Sequence, residues 1–222
     1  MDNTVRQVSP KDRIPFQCRH CGACCRGLED QLMLEPLDAY RLGQHLRRGG
    51  ERVDIEDVYA KYAHAAILTE GCPIFLVNTA GAENACVFLR GNRCTVYAAR
   101  PRACRMYPFS ATPGQPGEQF QYYQCMDAHA EHFAGATVGV GDWMQQNLSL
   151  EDRAFLEKEA DYLSRLGLLL HRAGPQRQKE WLFLILFYRY YNYDLEKPFM
   201  AQYERNHKEL LDRLNRNGRE EM

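Results

Sequence analysis

Long apolar runs are scarce in this chain. The longest, from Trp181 to Tyr188 in EWLFLILFYRYY, covers about eight residues before Arg189 ends it, whereas a helix crossing a bilayer needs roughly twenty. That run reads as a buried helix of the core or of an interface, and no membrane is expected. Net charge is also nearly absent: 28 Lys+Arg against 29 Asp+Glu leave -1, so there is no global field to hold nucleic acid or an anionic surface. The opening MDNTVRQVSPKDRIPF lacks the apolar stretch of a signal peptide, which makes the cytoplasm, where thiols stay reduced, the expected compartment. No hydrolase elbow and no carboxylate pair at telling spacing is present. The glycine-valine string GATVGVGD, residues 135 to 142, is too weak for a nucleotide loop. A non-enzymatic role is therefore the leading expectation.

Cysteine is missing from everything after Cys125. All nine cysteines fall between Cys18 and Cys125, and an odd number fits a complete disulfide framework badly. Nor does the chain need staples, since 222 residues at 45% hydrophobic content can bury a packed core. The expected division is a cysteine-cluster metal-binding domain over residues 1–135 and a helical extension packing on it over 136–222.

The order of local signals predicts an α+β chain. Glu35-Pro36 opens a helix that carries Leu37, Tyr40 and Leu46 inward and stops at Gly49-Gly50; Asp54 with Asp57 opens another. From Pro73 to Tyr123 the runs IFLV, CVFL, CTVY and FQYY, separated by turn-rich text, predict a short antiparallel meander. Ser149 with Asp152 resembles a capping box, and Gly174-Pro175 closes the helix it begins. An aromatic helix over about 176–193 and a more polar one over about 198–217 complete the C-terminal part.

FQCRHCGACC then puts Cys18, Cys21, Cys24 and Cys25 into one short segment. Buried structural cysteine does not explain four thiols beside Arg19, His20 and Arg26. A redox dithiol at Cys18-x-x-Cys21 would need a strand before it, and the preceding text is polar. Metal binding accounts for more of the residues: the spacing is that of a zinc or iron knuckle, and Gly22 can take the positive φ that turns backbone N–H groups toward sulfur. Adjacent Cys24 and Cys25 are expected to diverge, as neighbouring side chains do in strand and helix, which suggests two sites or one site and a spare thiol.

Downstream, CVFLRGNRCTVYAARPRACRMYPF supplies Cys86, Cys94 and Cys104, with Gly91-Asn92 at a hairpin tip. A two-residue turn would set Cys94 opposite Leu89 and turn Cys86 to the other face; a three-residue loop would put both thiols on one face. Arg100 is expected to support the thiols, since Pro101 biases it toward extended geometry and its planar fork suits a negatively charged neighbourhood.

C-x-x-C-x-x-C-C at Cys18 to Cys25, C-x-F-L from Cys86, and C-x-x-Y-x-x-R-P-x-x-C-R-x-Y-P from Cys94 to Pro108 together resemble the YkgJ-type cysteine-cluster (CxxCxxCC) family. Its members are described as zinc- or iron-chelating domains and often labelled iron-sulfur proteins. The resemblance covers residues 16 to 125 and implies a metal-ligand set of Cys18, Cys21, Cys24, Cys25, Cys86, Cys94, Cys104 and Cys125. Arg100, Pro101, Arg105 and Pro108 fall on its R-P and C-R-x-Y-P positions. Val87 stands where the family often has proline, and Cys72 lies outside the pattern. The family also includes longer flagellin lysine methylases, so an enzyme using the cluster, with a protein lysine methylase-like activity, is the alternative.

All-thiolate ligation suits both zinc and iron. Cys18, Cys21 and Cys24 reproduce the first three positions of a ferredoxin run, but Leu28 takes the fourth, so a remote thiol would have to finish the cluster. The expected cofactor is an iron-sulfur cluster, of 4Fe-4S type, or Zn2+, in a redox or metal-binding module acting with a protein partner. A helical CMDAHAEH would add Cys125, His129 and His132 on one face, against a reading of these histidines as polar surface.

Overall fold

The computed structural model describes residues 5–68, 71–114, 118–126, 129–133 and 135–217. In chain order the first elements are β1 (Val5–Val8), β2 (Arg13–Pro15), α1 (Pro36–Arg48), α2 (Ile55–Tyr62), β3 (Ala63–Ile67) and β4 (Pro73–Val77). Four two-residue strands follow: β5 (Thr79–Ala80), β6 (Ala85–Cys86), β7 (Leu89–Arg90) and β8 (Arg93–Cys94). Then come α3 (Arg102–Met106), β9 (Phe109–Thr112), β10 (Gln121–Cys125), β11 (Thr137–Gly139), α4 (Val140–Asn147), α5 (Leu150–Arg172), α6 (Pro175–Leu186) and α7 (Phe199–Asn217). The α+β class with a helical C-terminal part is what the chain adopts.

Two compact units divide the chain, each assembled from two stretches. The first takes Met1–Glu29 and Thr79–Glu157; the second takes Asp30–Asn78 and Lys158–Met222. Residue 135 thus lies within the first unit, and the boundary at Glu157 falls inside α5.

The first unit is built on a three-stranded antiparallel sheet in the order β1-β10-β9, with Val5 opposite Cys125 and Gln124 opposite Phe109. Strand β10 alternates, turning Tyr122 and Gln124 inward, as a half-buried strand does. Pairs β2–β11, β5–β6 and β7–β8 are separate antiparallel ladders. The strands therefore do not run as one meander. A turn at 87–88 splits CVFL between β6 and β7, and 3-10 geometry at Tyr97–Ala99 follows the two-residue β8.

In the second unit Pro36 occupies the first turn of α1, and Asp54 and Asp57 close both bonds of a capping box on α2. Leu37, Tyr40 and Leu46 are buried, as their spacing predicts. The apolar run of β4 is buried throughout and pairs with β3, a partner whose text AHAAI carries little strand signal. Tyr162, Leu166, Trp181, Ile185, Leu210 and Leu214 form a core among α5, α6 and α7, and Cys72 packs against it. Helix α6 widens into a π turn at Phe187–Tyr191, which carries Arg189 inward to pair with Glu159; the Tyr203 hydroxyl donates to the other Glu159 oxygen.

Candidate metal centre

Phe16 fixes where the cysteine segment starts. Its N–H donates to the Ala136 carbonyl at 2.8 Å, the Gln17 N–H donates to the His132 carbonyl at 2.9 Å, and its ring is buried among Tyr107, Phe109, Phe133 and Trp143. The chain then passes Cys18 and Cys21 and turns at Gly22, whose φ is 72°. A side chain there would meet Leu89 Cδ1 at 3.0 Å and the Asn92 carbonyl at 3.1 Å, so glycine is required both by the backbone and by close approach of the β7–β8 hairpin. A 3-10 turn over Ala23–Cys25 follows.

Backbone bonds then tie the segment to the β5–β6 turn: Gly27 N–H to the Glu83 carbonyl at 2.9 Å, and Leu28 N–H to the Asn84 carbonyl at 3.1 Å. Arg26 joins both hairpins at once. Its guanidinium donates to Glu83 Oε2 at 3.0 Å, to Asn92 Oδ1 at 2.9 Å and to the Gly91 carbonyl at 3.3 Å. Glu83 is 72% exposed, so the ion pair itself contributes little; holding two turns at fixed distance from the cysteine segment is the larger effect.

Cys86 and Cys94 occupy equivalent places, each the last residue of its two-residue ladder. In each case the backbone N–H two residues on, at Phe88 or Val96, favours the thiolate, while burial, the larger influence, pushes the thiol up. The β7–β8 turn has two residues, and Cys94 does pair with Leu89. The turn at 87–88 separates Cys86 from the β7–β8 ladder, so the register of that ladder does not set the direction of Cys86.

The segment that bears Cys24 lies against the hairpin that bears Cys94. Cys24 influences the ionisation of both Cys86 and Cys94, and Arg100 opposes the rise at Cys24 and at Cys94. Cys24 is pushed far above the ordinary thiol range, first by its hydrogen bond with Cys25, then by burial. Neither strand nor α-helix geometry governs Cys24 and Cys25, which lie in the 3-10 turn after Gly22.

At the other end Cys21 Sγ lies 3.1 Å from His132 Nε2, and the Tyr107 hydroxyl lies 3.2 Å from His132 Nδ1. Tyr107 is pushed up to about 12 by burial, opposed by the His129 N–H its hydroxyl accepts, with negative charge at Cys24, Cys125 and Cys21 adding to the rise. Cys125 ends β10, held by its N–H bond to the Pro108 carbonyl at 2.8 Å. Cys125, His129 and His132 therefore do not share one helix: Cys125 is in a strand, His132 is in a 3-10 turn, and residues 127–128 of the expected helix lie outside the described residues.

Cys18 is exposed at the start of the segment, and Cys104 is half-buried on α3. Cys72 stands apart in the second unit. Among the described residues no three His, Cys, Asp or Glu side chains already form a metal-ligating group. What the fold supplies is a set of soft donors gathered from both motif halves, with N–H groups and Arg100 placed to offset negative charge. That chemistry fits zinc or iron. Sequence reasoning missed Arg26 and Tyr107 as organisers. Arg26 follows the Cys24-Cys25 pair and Tyr107 lies in RMYP, but neither position announces its distant partner.

Residues 17–130, just over half of the chain, match the family model described as "CxxCxxCC: Putative zinc- or iron-chelating domain". No curated protein and no solved structure matches the chain. The chain belongs to this CxxCxxCC family.

Proposed function

We propose, on the premise of that membership, that the first unit binds zinc or an iron-sulfur cluster through thiolates drawn from both halves of the motif, and serves as a metal-binding or redox module for a protein partner. The ligands come from Cys18, Cys21, Cys24, Cys25, Cys86, Cys94, Cys104 and Cys125, all of which belong to that unit. One observation carries the reading: the Cys18–Cys25 segment is clamped on the hairpins that bear Cys86 and Cys94, by Gly22 against Leu89 and by Arg26 across both turns. Segments far apart in sequence, each bearing cysteines, are thereby in contact. A bound metal would crosslink these segments, and a bound cluster would supply electron transfer; Arg100 offsets thiolate charge at Cys24 and Cys94, and the N–H groups of Phe88 and Val96 favour the thiolate at Cys86 and Cys94 against burial, which pushes both thiols up. The test is metal analysis with a visible spectrum of anaerobically purified full chain. Stoichiometric zinc without colour identifies zinc; iron with sulfide and charge-transfer bands identifies a cluster. Protein that holds neither, and that a Cys24→Ser/Cys94→Ser double variant matches in metal content, refutes the reading.

A further inference from the structure

The family match ends at residue 130, and two residues beyond it stands His132, 3% exposed. Its Nε2 lies 3.1 Å from Cys21 Sγ. Nitrogen and sulfur ligands bound at about 2.0 and 2.3 Å to one tetrahedral ion stand roughly 3.6 Å apart, so the pair is within about half an ångström of ligand spacing. The far side of the ring is equally defined. Nδ1 lies 3.2 Å from the Tyr107 hydroxyl, and that hydroxyl accepts the His129 backbone N–H at 3.2 Å. Edge-on contacts with Phe16, at 6.4 Å between ring centres, and with Tyr107, at 5.8 Å, fix the imidazole plane. Metal-binding histidines are characteristically held in this way, with one nitrogen facing the metal and the other bonded to a polar group that sets ring orientation.

We propose that His132 Nε2 is a nitrogen ligand of the bound metal, adjacent to Cys21, and that Tyr107 is its positioning residue. The centre is then mixed in donor type, imidazole beside thiolate, and the ligand set extends past the segment that defines the family. A buried thiol–imidazole hydrogen bond with no metal role is the competing explanation. It gives no reason for a tyrosine hydroxyl, itself held by the His129 N–H, to be placed on the opposite nitrogen.

This inference rests on the metal-binding reading, and the experiment separates the two. Metal-free full chain is loaded anaerobically with Co2+, then with Zn2+, and X-ray absorption at each metal edge is recorded for wild type, Tyr107→Phe and His132→Gln. The expected result is sulfur scattering plus the outer-shell signature of one imidazole in wild type and in Tyr107→Phe, with metal retention in Tyr107→Phe lowered ten- to a hundredfold. His132→Gln should lose the imidazole signature and shift the Co2+ d–d bands. Because the wild-type spectrum alone reports the nitrogen, a His132 variant that fails to fold does not block the test. Wild type that binds Co2+ and Zn2+ through sulfur only overturns the inference and leaves the metal-binding reading standing; wild type that binds neither metal and carries none as purified overturns both.

Discussion

Arg100 lays its guanidinium over the Tyr97 ring, 3.6 Å from the ring centre, and donates from Nε to the Tyr97 carbonyl at 3.0 Å. That fixed fork leaves a permanent positive charge near Cys24 and Cys94, where it favours the thiolates. Lysine can keep the charge but neither the stacking nor the planar bond. Arg100→Lys is therefore expected to weaken metal retention about tenfold or more, while Arg102→Lys leaves it near wild type; competition against a chromophoric chelator measures both, and equal retention in the two variants would remove Arg100 from the centre. The extended backbone of Arg100 was legible in the sequence because the following proline restricts it. Arg105, three residues past that proline's neighbour Arg102, was not: the sequence groups it with the thiols, but the chain sends it to Asp152. Local text shows which residues carry charge, while the direction of a long side chain depends on elements that the text does not place nearby.

That pairing belongs to the scale of elements, since it fastens α3 to the start of α5. Asp152 closes a capping box with Ser149, accepting the Ser149 N–H at 2.9 Å, and this the S-x-x-D pattern announced. The same carboxylate takes two bonds from Arg105, at 2.9 and 3.2 Å, and is fully buried, while Arg105 retains 19% exposure. The asymmetry decides which deletion costs more. Arg105→Met strands a carboxylate that water cannot reach and should cost roughly 3–5 kcal/mol; Asp152→Asn leaves an arginine that water can still reach and should cost roughly 1–3 kcal/mol. Urea midpoints of the metal-free protein test the order, and a reversed order would show that the cap outweighs the ion pair. Strand pairing was less legible than capping. The two-residue ladders ending at Cys86 and Cys94 carry too few alternations for a period to be read, and β3 gains its strand conformation from pairing with the apolar β4 more than from AHAAI itself.

At the scale of the whole molecule, the two units, each assembled from two stretches of the chain, hold different groups. All eight motif cysteines lie in the first unit; the second encloses Arg189, Glu159 and a group of tyrosines around His207, which stacks on Tyr162 at 3.6 Å. Burial, assisted by the Arg189 charge, lowers His207 to about 2 from its ordinary 6.5, so the ring is neutral in the folded chain. Between those values the unfolded chain takes up a proton that the folded chain refuses. Stability of the second unit should therefore be unaffected by this group above pH 6.5, and should fall below it by up to about 1.4 kcal/mol per pH unit. On the proposed metal binding, metal–thiolate bonds are part of the folding energy of the first unit, and chelation at neutral pH should strip protection there and spare the second unit. Hydrogen exchange resolved by segment tests both halves of this expectation. Chelator at pH 7.5 should accelerate exchange in residues 79–114 and leave 199–217 unchanged; lowering the metal-free protein from pH 7 to pH 5, after correction for intrinsic rates, should accelerate 199–217. His207→Phe, which keeps an aromatic ring against Tyr162, should abolish the acid response in 199–217 without altering the response to chelator. If chelation and acid loosen both segments equally in wild type, the units do not respond independently and the assignment of metal dependence to the first is wrong.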